Sequence, residues 1–185
     1  MIKSQLIKDI TVNKISLEEG LQMLLIISSE LNNKKLTNWI MREFNGYSED
    51  LELPKYRKKI GSNLICSGIN GTFKVTNVTL PIHYLPKEYR EIVSHPNVKT
   101  SIRGIEKMLD TGGIIGMDLT ELAGDVYNKA GIQCYKIFQE YNKVSIEDII
   151  SNVKNRLIVI LIDLEKEFGL LDNLDIDTDF ISQQT

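Results

Sequence analysis

Residues 60–80 read IGSNLICSGINGTFKVTNVTL, and this stretch decides the fold. Ile60, Leu64 and Cys66 alternate with polar neighbours, and Phe73, Val75, Val78 and Leu80 do so beyond Asn70-Gly71. Alternation with period two lays one face of a strand against a core. An Asn-Gly pair between two such runs is the strongest short-range hairpin signal. The apolar positions are odd at Phe73 and Val75 but even at Val78 and Leu80, which predicts a β-bulge near Asn77. The hairpin is therefore expected over about 59–80.

Upstream the period is helical. Ile2, Leu6 and Ile10 recur four apart with Ile7 beside them, a short amphipathic helix. Ser16-Leu17-Glu18-Glu19 has the pattern of a capping box, in which the Ser16 hydroxyl accepts from the Glu19 amide while Glu19 reaches back. The helix it opens carries Leu17, Leu21, Leu24, Leu25 and Leu31, widened by Met23, Ile26 and Ile27. Leu36, Trp39, Ile40 and Phe44 share a face of a third helix, which Asn45-Gly46 ends because both residues tolerate the left-handed conformation.

Downstream, Pro86 sits at the first turn of a helix through Tyr89, Ile92 and Val93, and His95-Pro96 closes it. Ile102, Ile105, Met108 and Leu109 mark a helix over 101–110, broken by Thr111-Gly112-Gly113, with another helix expected near 118–129. Residues 131–142, GIQCYKIFQEYN, are rich in aromatic and β-branched side chains and predict a third strand over about 132–142 beside the hairpin. From Ser145-Ile146-Glu147-Asp148 a long helix is expected over about 146–168, its apolar residues recurring every three or four from Ile146 to Phe168. The six apolar residues 157–162 also suit a buried strand, but the cap and the charged exit Glu165-Lys166-Glu167 favour helix. The predicted class is α+β: a mostly helical domain over 1–170 with a small antiparallel sheet, then an acidic polar tail or linker over 171–185.

The chain of 185 residues is 42% hydrophobic and 25% charged, which excludes disordered, collagen-like and disulfide-scaffold classes. Its longest apolar run is far shorter than the roughly 20 residues of a membrane-spanning helix. The N-terminus lacks a signal peptide's apolar segment, so a cytoplasmic location is expected. The net charge of −3 is uneven: residues 163–185 hold seven carboxylates against one lysine, and 1–162 carry +3. That is no nucleic-acid footprint overall. Basic charge is concentrated only at Lys55-Tyr56-Arg57-Lys58-Lys59. This run reads in two ways: a solvated edge with Arg57 paired to Glu52 or Asp50, or a phosphate-binding patch in which aromatic rings beside cations hold nucleotides.

Catalytic grammar is sparse. Cys66 and Cys134 form no Cys-x-x-Cys pair, so reduced, half-buried thiols are expected and no zinc site. His83 and His95 sit beside proline-marked turns and read as turn or capping side chains. Thr111-Gly112-Gly113-Ile114-Ile115-Gly116 lacks the Lys-Ser/Thr ending of a phosphate loop and follows a helix where that motif requires a strand. It is read as a helix–loop–helix connection. Asp175-Ile176-Asp177-Thr178-Asp179 imitates a calcium loop, but Phe180 stands where glycine is needed. No acid lies between Ile60 and Leu80, which argues against a two-metal site on the sheet. Neither a catalytic residue, a metal nor a cofactor is assigned.

Trp39-Ile40-Met41-Arg42-Glu43-Phe44-Asn45-Gly46-Tyr47, followed by Leu53-Pro54-Lys55-Tyr56-Arg57, resembles the AbiTii domain family, whose members show W-x-x-x-E-L-N-G-Y and then L-P-x-Y-R. Phe44 stands where leucine is common. Leu85-Pro86-Lys87-Glu88-Tyr89-Arg90 is similar to the family's L-P-x-E-x-R turn, and Lys154-Asn155-Arg156-Leu157 to its closing helix. The resemblance implies bacterial anti-phage defence of the abortive-infection kind, with the domain placed before a variable effector or membrane segment. It brings no agreed catalytic residues. Here the chain ends in a short acidic stretch, so either it is a piece of a longer protein or a separate partner supplies the effector. The expected role is a non-catalytic sensor or interaction domain, as a monomer or a homo-oligomer, that binds a partner or nucleotide signal. An oligonucleotide receptor using Lys55, Tyr56, Arg57, Lys58 and Lys59 is the alternative, and a nuclease-type toxin a third.

Overall fold

The computed structural model describes residues 4–172, which divide into two units. Helices α1 (Gln5–Thr11), α2 (Leu17–Glu30), α3 (Lys34–Asn45), α4 (Lys87–Ser94), α5 (Ile102–Asp110), α6 (Ala123–Ala130) and α7 (Lys143–Phe168) are joined with strands β1 (Ser62–Asn70), β2 (Phe73–Thr79), β3 (Gly116–Asp118) and β4 (Ile132–Tyr141). Residues 4–49, 100–104 and 150–172 form a helical unit, and residues 50–99 and 105–149 form the unit that holds the sheet. The α+β class, with its hairpin, third strand and long C-terminal helix, is as the sequence pattern predicts.

Local chemistry sets the helix ends of the first unit. The Ser16 capping box is formed in full, the hydroxyl accepting from the Glu19 amide and the Glu19 carboxylate accepting from the Ser16 amide. Gly46, at φ 84°, ends α3 in a conformation that costs a side-chain-bearing residue energy. Leu21, Leu24 and Ile27 of α2 and Val153, Leu157 and Leu161 of α7 are fully buried, each removal from water contributing about 1.5–3 kcal/mol. Gly20 marks the close approach of three helices, since a Cβ there would stand 2.9 Å from Leu157 and 3.2 Å from Ile10.

Helix α1, with only seven residues, is too short to persist alone. Side chains from α7 and the residues after it hold both its ends. At the N-terminus, Glu165 accepts from the Ser4 amide and hydroxyl, and Asp172 accepts from the Gln5 amide at 2.6 Å. Lys154 donates to the Thr11 carbonyl at 3.2 Å and to Asn13 at 2.6 Å at the C-terminus. Acids at the positive end and a cation at the negative end both suit the helix dipole. Arg156 of α7 meets α3 instead, with its guanidinium 4.6 Å from the Trp39 ring centre. Of the stretch 171–185, only Leu171 and Asp172 are described, and Leu171 is buried.

In the second unit the four strands are ordered β2-β1-β4-β3, all neighbours antiparallel. The bulge expected near Asn77 is present, as the register slips between Cys66 and Gly68. Ser67 seals it, accepting from the Asn77 amide at 2.9 Å and lying 3.1 Å from the Asn77 side-chain oxygen. A second slip, opposite Tyr135 on β4, falls at the same place on β1. It turns the inward positions from Ile132 and Cys134 to Ile137 and Gln139. Leu64, Cys66, Leu80, Leu85, Val93, Leu119, Leu122, Val126, Cys134 and Ile137 form the core on that face.

Three local expectations change. Thr111–Gly116 does not join two helices: it leads into β3, which pairs through Gly116 with Glu140 and through Asp118 with Phe138. Three residues give too short an alternation to read, and the pairing comes from β4, 22 or so residues away. The helix expected from 118 begins only at Ala123. Helix α7 also starts three residues early, because Asn142 caps it by accepting from the Val144 amide at 2.9 Å. The strand alternative for 157–162 is excluded, since those residues lie within α7.

Candidate functional site

The basic run is built on a tight turn. Pro54 fixes the entry, and Lys55–Arg57 forms one 3-10 turn. Lys55 and Lys59 are exposed, Tyr56 and Lys58 half-buried, and Arg57 is 0% exposed. The strip 57–60 pairs with 96–98: the Val98 amide donates to the Arg57 carbonyl at 2.9 Å and the Ile60 amide to Pro96 at 3.0 Å. The Arg57 guanidinium donates to the Val98 carbonyl at 3.2 Å, so it acts inside the unit and is withdrawn from any surface ligand. It is Lys58 that pairs with Glu52, at 3.3 Å. The run thus presents lysines and one tyrosine, with its arginine turned to structural use.

The second motif is likewise a frame. Arg90 reaches back to donate to the Leu85 carbonyl at 3.0 Å and the His83 carbonyl at 2.8 Å, while Leu85 is fully buried. Tyr47 donates to the buried Glu43 at 2.7 Å, four residues back on α3. The histidines take turn positions. His83 lies in the turn Ile82–Tyr84 against the Tyr84 ring, and His95 is the C-cap of α4. Cys66 and Cys134 lie in the same buried cluster, and burial pushes the Cys134 thiol up to about 11. Thiols so protonated are poor nucleophiles at neutral pH. Among the described residues no group of three His, Cys, Asp or Glu is placed to hold a metal ion. The calcium-like stretch 175–179 lies outside the described residues.

A cleft of about 340 Å³ opens at the far end of the sheet, lined by the glycine loop, the end of β4 and the start of α7. Leu109, Ile114 and Ile115 supply its apolar wall, and Asn63, Glu140, Tyr141, Asn142 and Lys143 its polar one. Asn63 and Glu140 are directly opposite in the β1–β4 register, so their side chains stand side by side on one face. The Tyr141 amide donates to Ile115 at 2.7 Å and the Asn142 amide to Gly61 at 2.8 Å, which ties the loop and the helix start to the sheet. Tyr141 is half-buried, and that burial raises its phenol above the ordinary value.

The glycines of the loop differ in what they are for. Gly112 ends α5 at φ 64°, and a Cβ on Gly116 would overlap the Gln139 carbonyl. Gly113 has neither reason, for its φ is not positive and the nearest atom to an added Cβ is Thr111 Oγ1 at 3.7 Å. It lines the cleft as bare backbone. Phosphate-loop grammar does not describe this loop, so the motif alone does not mark the cleft. The glycine-rich hexapeptide was the signal, but Asn63 and Glu140 join it only through strand pairing.

A small antiparallel sheet backed by helices, with an open cleft of mixed polarity at its edge, defines an α+β module. The AbiTii family model matches residues 2–180, and the chain belongs to that family. The family name implies a role in phage-defence systems. No curated protein and no solved structure matches the chain. None of the described helices is long and apolar enough to cross a membrane.

Proposed function

We propose that this chain is the non-catalytic sensing and interaction domain of a phage-defence system of the abortive-infection kind, acting in the cytoplasm. It binds a partner or nucleotide signal and controls an effector, supplied by a separate protein or by a further segment of a longer chain. Residues 1–170 would form the functional domain and 171–185 the link to that effector. The observation that supports this reading is the cleft: its apolar wall and its Asn63–Glu140 pair are left open, while the arginines of the two proline motifs are spent inside the fold. Such a pocket, mostly preformed with a few converging polar groups, is the usual form of a small-ligand site.

The test is a plaque assay in a bacterial host carrying the chain with its neighbouring genes. Gly113→Val should abolish protection while the protein level and melting temperature stay unchanged. Turnover of RNA, DNA or a nucleotide by the purified chain, lost in a point variant, would overturn the non-catalytic role.

A second reading makes the surface around Lys55, Tyr56, Lys58 and Lys59 an oligonucleotide contact, favoured by the exposure of Lys55 and Lys59 in one short turn. Titration with short oligonucleotides at two salt concentrations decides it, since phosphate contacts are strongest at low salt. No binding at low salt would end this reading.

A further inference from the structure

We infer that the cleft is a guanine-nucleotide site, an assignment that rests on the sensor reading above and names its ligand. The fold leaves several polar groups of the cleft unused. Among the described residues, neither the Asn63 amide nor the Glu140 carboxylate makes a side-chain hydrogen bond or ion pair, although both line the cavity and face each other across the β1–β4 register. The Gly113 amide likewise donates to no protein acceptor among them.

The side-by-side pair has a definite chemistry. A carboxylate accepts at two oxygens, and an amide beside it adds a donor. The matching edge on a ligand is two adjacent N–H donors followed by an oxygen acceptor. Guanine carries this order as N2–H, N1–H and O6. Adenine and cytosine place an acceptor next to their single amino group, and uracil flanks its one N–H with two acceptors, so each sets an oxygen or ring nitrogen against the Glu140 carboxylate. Leu109, Ile114 and Ile115 offer the apolar surface that a purine face requires.

The same cleft also offers groups that suit a phosphate. Lys143 is the first residue of the 26-residue helix α7, where backbone amides and the helix dipole favour an anion. Its present ion pair with Glu147 is 3.8 Å long and largely solvated, so a phosphate displaces it at little cost. Gly113 adds a free amide and no side chain. A volume of about 340 Å³ falls in the range of small-ligand pockets. Base edge, base face and phosphate thus each meet a group of matching chemistry within one unit of the chain.

Calorimetric titration of the full chain with GMP, AMP, guanosine and inorganic phosphate at low salt tests the assignment. GMP should bind, with AMP, guanosine and phosphate each weaker by roughly tenfold or more, as expected when a bidentate contact or a charged contact is lost. Glu140→Gln should erase the preference for GMP over AMP. Lys143→Ala should weaken GMP while leaving guanosine unchanged, and Gly113→Val should block every ligand with the melting temperature unmoved. Equal binding of GMP and AMP, unimpaired binding by Gly113→Val, or no nucleotide binding by a natively folded chain would each overturn the inference. If nucleotides fail to bind yet Gly113→Val abolishes plaque protection, this assignment falls and the sensor reading stands. Should GMP bind as expected while all three variants protect normally, the assignment stands and the sensor reading falls.

Discussion

Replacing Gly68 with alanine tests a close backbone approach between β1 and β4. Gly68 lies on β1 immediately after two register slips, one toward β2 and one toward β4. A Cβ added there would meet the Gln133 carbonyl oxygen first and then stand 2.9 Å from Cys134 Cα and 3.0 Å from the Gln133 carbonyl carbon. All three are backbone atoms, so no side chain can swing aside. Carbon atoms prefer separations of about 3.5–4.0 Å, which leaves a shortfall of roughly 0.6 Å that the two strands must open to relieve. Overpacking of this kind costs about 1–3 kcal/mol, and a backbone obstacle puts the cost near the upper figure. For a chain of this size that corresponds to a melting temperature lower by roughly 5–10 °C. The same opening should speed amide exchange on β1 and β4 around the bulge, leaving α2 and α3 of the other unit unaffected. Thermal unfolding followed by circular dichroism, with hydrogen exchange read by mass spectrometry, measures both. A Gly68→Ala protein that melts within about 1 °C of the parent would refute the reasoning, because it would mean that the strands do not approach as closely as described. Gly113→Ala is the internal control: the same substitution, expected to change nothing in stability.

Three further outcomes follow from the same geometry. Lys154→Met should loosen α1, raising exchange at residues 7–11 and costing about 0.5–1 kcal/mol, since it removes two hydrogen bonds at a helix C-terminus; unchanged exchange there would refute the clamp. The Ser16 amide, followed by the Ser16 hydroxyl, holds the Glu19 carboxyl below its ordinary value, so the capping box contributes stability that is present above that value and lost as pH falls through the folded one. Ser16→Ala should therefore lower stability at neutral pH and narrow its gap from the parent in acid, as chemical denaturation across pH would measure. The buried thiols, with Cys134 at about 11, should react slowly with a thiol reagent at neutral pH and rapidly in denaturant, and fast labelling of the native protein would contradict their placement in the core.

Much of the fold was legible because its signals are local. The Ser16-to-Glu19 box, Gly46 after α3 and the parity switch ahead of Leu80 each depend on residues within one turn or one pleat, and each is formed. The motif resemblance was legible for the same reason, and its prolines start a turn and a helix while Arg57 and Arg90 brace backbone carbonyls. Arg57 was the exception. Nothing local says that its guanidinium turns inward to Val98, 41 residues away, leaving only its neighbours at the surface.

The candidate site was illegible for a related reason. Asn63 and Glu140 are 77 positions apart, and neither has a distinctive neighbourhood; they become a pair only when β1 and β4 align in one register. Strand β3 is three residues long, so its pairing partner defines it more than its own pattern does. Sequence alone determined the class of the protein, its helices and its hairpin, because periodicity and caps act over a few residues. Only the tertiary structure decided which polar groups the fold consumes and which it leaves facing a cavity, because that depends on contacts between strands that the chain brings together from far apart.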